Sequence, residues 1–132
     1  MQAKALKKYI RSSPRKMRLV IDLIRGKNAE EALDILSFTK NTASKVAYDV
    51  LKSAVSNLNY KADQEGLSYE SNEILVKTVF VNQGPTMKRI QPAPMGRAFR
   101  IRKRTNHLTI ELETKDHNDQ VVEEEITENN EE

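Results

Sequence analysis

The stretch RAFRIRKRTNHLTIEL, residues 97–112, decides the architecture. Side chains alternate along a strand, so Arg100, Arg102, Arg104, Leu108, Ile110 and Leu112 are expected to share one face. That face is basic at one end and apolar at the other, which a strand lying wholly inside a globule would not be. The pattern predicts one long strand, anchored in a core by its apolar half and leaving that core with its arginines. A partner lies upstream, where Ile74-Leu75-Val76 and Val79-Phe80-Val81 are apolar and β-branched. Gly84-Pro85 breaks that run, and Pro92, Pro94 and Gly96 keep the far end from being regular sheet. From Lys77 to Arg104 each arm has about 14 residues, or roughly 45 Å at full extension. A free arm of this kind would aggregate through its edges unless charge or a partner covered them.

Helices fill the chain before these strands. Residues 2–11 read as a short strand or extended arm. Ser12-Ser13-Pro14 then marks a helix start, with Ser13 able to cap and Pro14 suited to the first helical position. Met17, Val20, Ile21 and Ile24 recur at helical spacing, and Gly26 is expected to end the helix in a left-handed cap. Asn28 opens a second helix, with Glu31 three positions on as a capping-box partner and Ala29, Ala32, Leu33 and Leu36 as the apolar face. Asn41 opens the third and longest, through Ala43, Val46, Ala47, Val50, Leu51, Ala54 and Leu58, fading over Ala62–Gly66.

The 132 residues fit one domain, and the net charge of +3 conceals segregation. Residues 1–27 hold nine basic residues and one acidic; residues 77–104 hold eight basic and none acidic. The segment between them, 28–76, has four basic and eight acidic residues. Two basic blocks free of opposite charge point to a polyanion, and to nucleic acid in particular. Residues 111–132 reverse the sign, with one Lys against ten acidic residues. From 113 on the chain is polar and acidic, and is expected to be a disordered, solvated tail.

Little catalytic chemistry is present. Cysteine is absent, which removes disulfides, thiolate nucleophiles and zinc–thiolate sites and permits a reducing cytoplasmic compartment. His107 and His117 are the only histidines, and neither has a second titratable partner at a recognisable spacing. Gly26-Lys27 lacks the earlier glycine and the following Ser/Thr of a phosphate-binding loop. Glu30-Glu31 and Glu123-Glu124-Glu125 read as a helix start and a tail. No enzyme, cofactor or metal is expected, and no run is long and apolar enough to span a membrane.

Several stretches together resemble a known family. They are Ser12-Ser13-Pro14-Arg15-Lys16-Met17-Arg18-Leu19-Val20, Leu23-Ile24-Arg25-Gly26-Lys27, Ala32-Leu33-Asp34-Ile35-Leu36, Val79-Phe80-Val81, Gly84-Pro85-Thr86-Met87-Lys88-Arg89, Gly96-Arg97-Ala98 and Lys103-Arg104-Thr105-Asn106-His107-Leu108-Thr109-Ile110. In order and spacing they are similar to the bacterial large-subunit ribosomal protein L twenty-two family over about residues 1–112. The resemblance implies an α+β fold, three helices packed on a small three-stranded antiparallel sheet with a long protruding β-hairpin. That gives one ribosomal-protein domain at 1–112, its hairpin at about 77–104, and a tail at 113–132. It implies a structural constituent of the cytoplasmic large ribosomal subunit that binds 23S-type ribosomal RNA and assists early assembly. Neighbouring large-subunit proteins and, transiently, the nascent polypeptide would be partners; no membrane and no homo-oligomer is expected.

Arg15, Lys16 and Arg18 match the family's basic first helix, and Lys103, Arg104, Thr105 and His107 its descending strand near RNA. With further cations of the two blocks (Lys7, Lys8, Arg11, Arg25, Lys27, Lys77, Lys88, Arg89, Arg97, Arg100 and Arg102) they form the expected RNA-binding set. Met87, Lys88, Arg89, Ile90, Gln91, Pro92, Ala93, Pro94, Met95, Gly96, Arg97 and Ala98 would form the tip lining the nascent-peptide exit tunnel. This chain departs from the family pattern at Ala93, Pro94 and Met95, where the tip lacks positive charge and gains a rigid proline and a thioether. Two rivals remain open at this point: a DNA-binding module that uses the first helix, and an adaptor that offers the hairpin edge to protein partners.

Overall fold

Alternating alanines start the sheet. The computed structural model describes residues 1–115; the expected tail beyond them, with His117, lies outside the described residues. Strand β1, Gln2–Ile10, buries Ala3, Ala5 and Ile10. Three helices follow, α1 (Pro14–Ile21), α2 (Ala29–Phe38) and α3 (Thr42–Glu65). They bury the residues whose spacing marked them: Met17, Val20 and Ile21 on α1, Ala32 and Leu36 on α2, Leu51, Ala54 and Leu58 on α3. Each large aliphatic side chain so buried is worth about 1.5–3 kcal/mol. Gly66 closes α3 at φ +69°, as a left-handed cap.

Strands β2 (Ile74–Gln83) and β5 (Asn106–Thr114) complete a three-stranded antiparallel sheet in the order β1-β5-β2. The central strand β5 puts Leu108, Ile110 and Leu112 into the core at 0% exposure. It runs two residues past the expected domain end, with Glu113 opposite Leu75 and Thr114 opposite Ile74. Strands β3 (Met87–Pro92) and β4 (Ala98–Lys103) form a separate two-stranded ladder. The α+β architecture with its protruding hairpin is as the sequence suggested.

Four local expectations are corrected. The strand expected over 97–112 is two strands, β4 and β5, interrupted at Arg104-Thr105. Helix α1 stops at Ile21, and Gly26 turns the chain in the loop after it, its amide donating to the Val76 carbonyl. Ser13, Asn28 and Asn41 stand at the N-caps, yet none makes a side-chain cap bond. Glu31 pairs with Lys27 instead of forming a capping box.

Candidate nucleic-acid interface

The interface starts at the joint between the two ladders. Gln83 pairs with Asn106 on the body side, and Met87 with Lys103 on the arm side. Three residues, Gly84, Pro85 and Thr86, therefore face two, Arg104 and Thr105. An unequal count bends a ribbon and adds twist, as a bulge does. The Gly84 amide donates to the Thr105 carbonyl at 2.9 Å, and the Thr105 hydroxyl donates to the Pro85 carbonyl at 2.7 Å. Gly84 is required by close approach: a Cβ there would stand 2.4 Å from Thr105 Oγ1 and 3.2 Å from the Thr105 carbonyl carbon. Asn106, fully buried, donates to both the carbonyl and the hydroxyl of Ser12 at 2.8 and 2.7 Å. The β1–α1 loop is thereby tied to the root of the arm.

Beyond the joint the arm is exposed. From Lys88 to Arg100 every residue but Ala93 is exposed to solvent. Lys88 lies opposite Arg102, and Ile90 opposite Arg100. Like charges directly opposite each other destabilise a ladder, and none of the arm's cations has an acidic partner among the described residues. The other face pairs Arg89 with Ile101, Gln91 with Phe99 and Met87 with Lys103. At the tip the Ala93 amide donates to the Arg97 carbonyl across Pro94–Gly96, with Met95 at φ +62° and almost wholly exposed.

The expected cations divide into two groups. Arg97, Arg100, Arg102, Lys103 and Arg104 are exposed on the arm or at its root, with Lys88 and Arg89. Arg89 makes only local contacts, with the Lys88 carbonyl and Met87 Sδ. Arg11 joins Arg102, Lys103 and Arg104 around one concave surface floored by Ser12 and Ser13. Lys16 lines the adjoining hollow with Leu19 and Thr42; Lys7, Lys8 and Arg15 are exposed nearby in sequence.

The remainder are engaged within the protein. Arg25 pairs with Asp22 at 3.1 Å, Lys27 with Glu31, and Lys77 with Glu113 at 2.8 Å. Hydrogen bonds from Lys77, and secondarily from Gln2, hold the Glu113 carboxyl below its usual range. The Arg18 guanidinium donates to the Val81 carbonyl at 3.1 Å, clasping α1 to β2. Thr105 is buried in the joint. His107 Nδ1 accepts the Tyr9 amide at 3.0 Å, while the two rings meet edge-on at 5.0 Å. Tyr9 itself has φ +57°, where β1 shifts register between Lys7 and Ile10.

Ser12, Ser13 and Phe99 were not among the expected contacts. In the sequence the serines carry only a helix-start signal. Phe99 carried a usable signal, an aromatic set between Arg97 and Arg100, and it is 60% exposed.

A family model described as ribosomal protein L22p/L17e matches residues 5–113. The chain belongs to that family. It is similar to proteins named large ribosomal subunit protein uL22. The one from Desulfitobacterium hafniense (strain DSM 10664 / DCB-2) is 50% identical over 109 residues, covering 83% of this chain and 91% of the relative. The one from Chlorobaculum tepidum is 52% identical over 110 residues with the same coverage. The one from Chlorobium phaeobacteroides is 49% identical over 114 residues, covering 86% and 96%. As a member of the ribosomal L22 family the chain is a structural, non-enzymatic component of the large ribosomal subunit. Among the described residues no helix is long and apolar enough to cross a membrane.

Proposed function

We propose that this L22-family chain binds large-subunit ribosomal RNA along the exposed face of its arm and around the Arg11–Arg104 concavity. The observation that supports this best is the Lys88–Arg102 pair, two cations held opposite each other with no acidic partner among the described residues. A two-stranded ribbon is marginal on its own in water, and charge repulsion makes it more so. Phosphates alongside would turn that liability into affinity. The guanidinium forks of Arg100, Arg102 and Arg104 suit phosphate oxygens, and Phe99 offers a ring on which an unstacked base can lie. Binding of this kind assists subunit assembly by ordering RNA and arm together, beside neighbouring ribosomal proteins.

The test is binding to a large-subunit RNA fragment across a salt series, with Arg100, Arg102 and Arg104 all changed to Ala. Loss of three phosphate contacts flattens the slope of log affinity against log salt by about 2–3. An unchanged slope means that these arginines do not touch phosphate.

The tip, Met87–Ala98, is read as lining the nascent-peptide exit tunnel and meeting the growing chain. Family membership and the exposure of Met95 support this reading. A photo-cross-linking residue at Met95 in translating ribosomes is expected to capture nascent chain; capture of RNA alone counts against contact with the peptide.

A further inference from the structure

The family match ends at residue 113, and residues 116–132 carry eight acidic residues and no Lys or Arg. We infer that this acidic tail docks in the protein's own Arg11–Arg102–Lys103–Arg104 concavity when RNA is absent, so that RNA and tail compete for one seat. The inference rests on the concavity being basic and open, not on which RNA it takes.

Geometry makes the reach fit. Strand β5 enters the sheet at Asn106, beside Ser12 and the concavity, and leaves at Thr114, the other end of the sheet. Its nine residues span about 30 Å. A chain returning from Thr114 needs about nine extended residues to cover that distance. The ninth is Glu123, the first of Glu123-Glu124-Glu125. The densest acidic run thus arrives where four cations converge without a described acidic partner.

Charge complementarity distinguishes this seat from the others within reach. Around Thr114 the cations are already engaged: Lys77 by Glu113, the N-terminal ammonium by the Thr114 hydroxyl and Lys61 by the Gln2 carbonyl, while Lys4 lies opposite Glu111. On the helical side Arg25 and Lys27 are paired with Asp22 and Glu31. Carboxylates in the concavity would relieve repulsion among Arg102, Lys103 and Arg104 and shield a basic surface that otherwise attracts any polyanion.

The experiment uses the full chain, free of RNA. A water-soluble carbodiimide activates a carboxylate as an O-acylisourea; the lysine amine attacks its acyl carbon, the urea leaves, and an amide forms with no spacer. Cross-links from Glu123–Glu125 are expected to concentrate on Lys103 and Lys16 at low salt and to fade at high salt. Absence of those links, or equal yield on Lys40, Lys45 and Lys52, overturns the proposal. In parallel, E123Q/E124Q/E125Q is expected to bind a short single-stranded RNA about fivefold tighter at low salt, the low end of usual coupling between sites. The control E128Q/E131Q/E132Q removes equal charge farther out. Equal gains from both triples mean that the tail acts through net charge and has no seat. Failure of the unmodified chain to bind RNA counts against the proposed function, while the cross-links still judge the tail.

Discussion

The body and the arm are built from the same antiparallel ladder, and they differ in what covers it. In the body, β5 lies between two strands with helices against one face, and Leu108, Ile110 and Leu112 are wholly buried. In the arm, β3 and β4 have only each other; Ile90 is 73% exposed and Phe99 60%. Inter-strand backbone hydrogen bonds form in both ladders, so their presence alone does not explain the difference. Removal of apolar surface from water does, and the arm lacks it. The body carries its own cover, and the arm requires an outside one.

The sharpest test changes the same residue type in each region. Ile110→Ala is expected to lower unfolding free energy by about 2–5 kcal/mol, because it empties a packed site. Ile90→Ala should fall within about 0.5 kcal/mol, as exposed substitutions do. Urea midpoints of the two variants check this, and similar losses would mean that the free arm packs on something.

The joint should respond next. Gly84→Ala forces the Thr105 hydroxyl away from the Pro85 carbonyl and is expected to cost about 1–3 kcal/mol, in the range of overpacking. Thr105→Ala removes the obstructing hydroxyl, so the double variant should recover part of that loss. Equal stability of the single and double variants would show that the contact does not constrain the joint.

A smaller effect should appear with opposite sign in the arm. Lys88→Glu places an acid opposite Arg102 and is expected to stabilise the free ribbon by about 0.2–1 kcal/mol, read as slower tryptic cleavage between Arg89 and Arg104. RNA affinity should fall in the same variant. Parallel changes in both would break the distinction between stability and binding.

The smallest expected effect is pH-dependent and belongs to the body. Glu113 has its folded pKa lowered by Lys77 and Gln2. Its contribution is therefore present above the unfolded pKa and is lost as pH falls through the folded one. Glu113→Gln should lower the urea midpoint slightly at neutral pH, with the difference closing in acid. A constant difference would assign the effect to packing.

Helices and core were legible because apolar spacing reports burial directly: Met17, Val20, Ile21 and Leu58 are all buried. The basic face was legible because charge segregates along the chain. The break at Arg104-Thr105 was not, since no glycine or proline punctuates that strand; it is imposed from across the ladder by Gly84-Pro85. Arg18 looked like any surface arginine of a basic helix, and its contact with Val81 spans 63 residues of sequence. The N-cap positions Ser13, Asn28 and Asn41 were placed correctly by residue type, whereas Gly26 does not cap α1, and the bond that Glu31 makes was decided by nearby Lys27.

The three-against-two count at the joint also separates the phases of the two ladders. Register in the body is fixed by its buried face, where a one-residue slip would turn the core outward. Register in the arm begins afresh at Met87 and Lys103. Removing one opposed pair from the arm would shorten its reach by about 3.4 Å and exchange the faces of the pairs beyond it, while the body's pairing stayed as it is. The joint works as a clutch, so the length and facing of the probe can be altered without disturbing the mount.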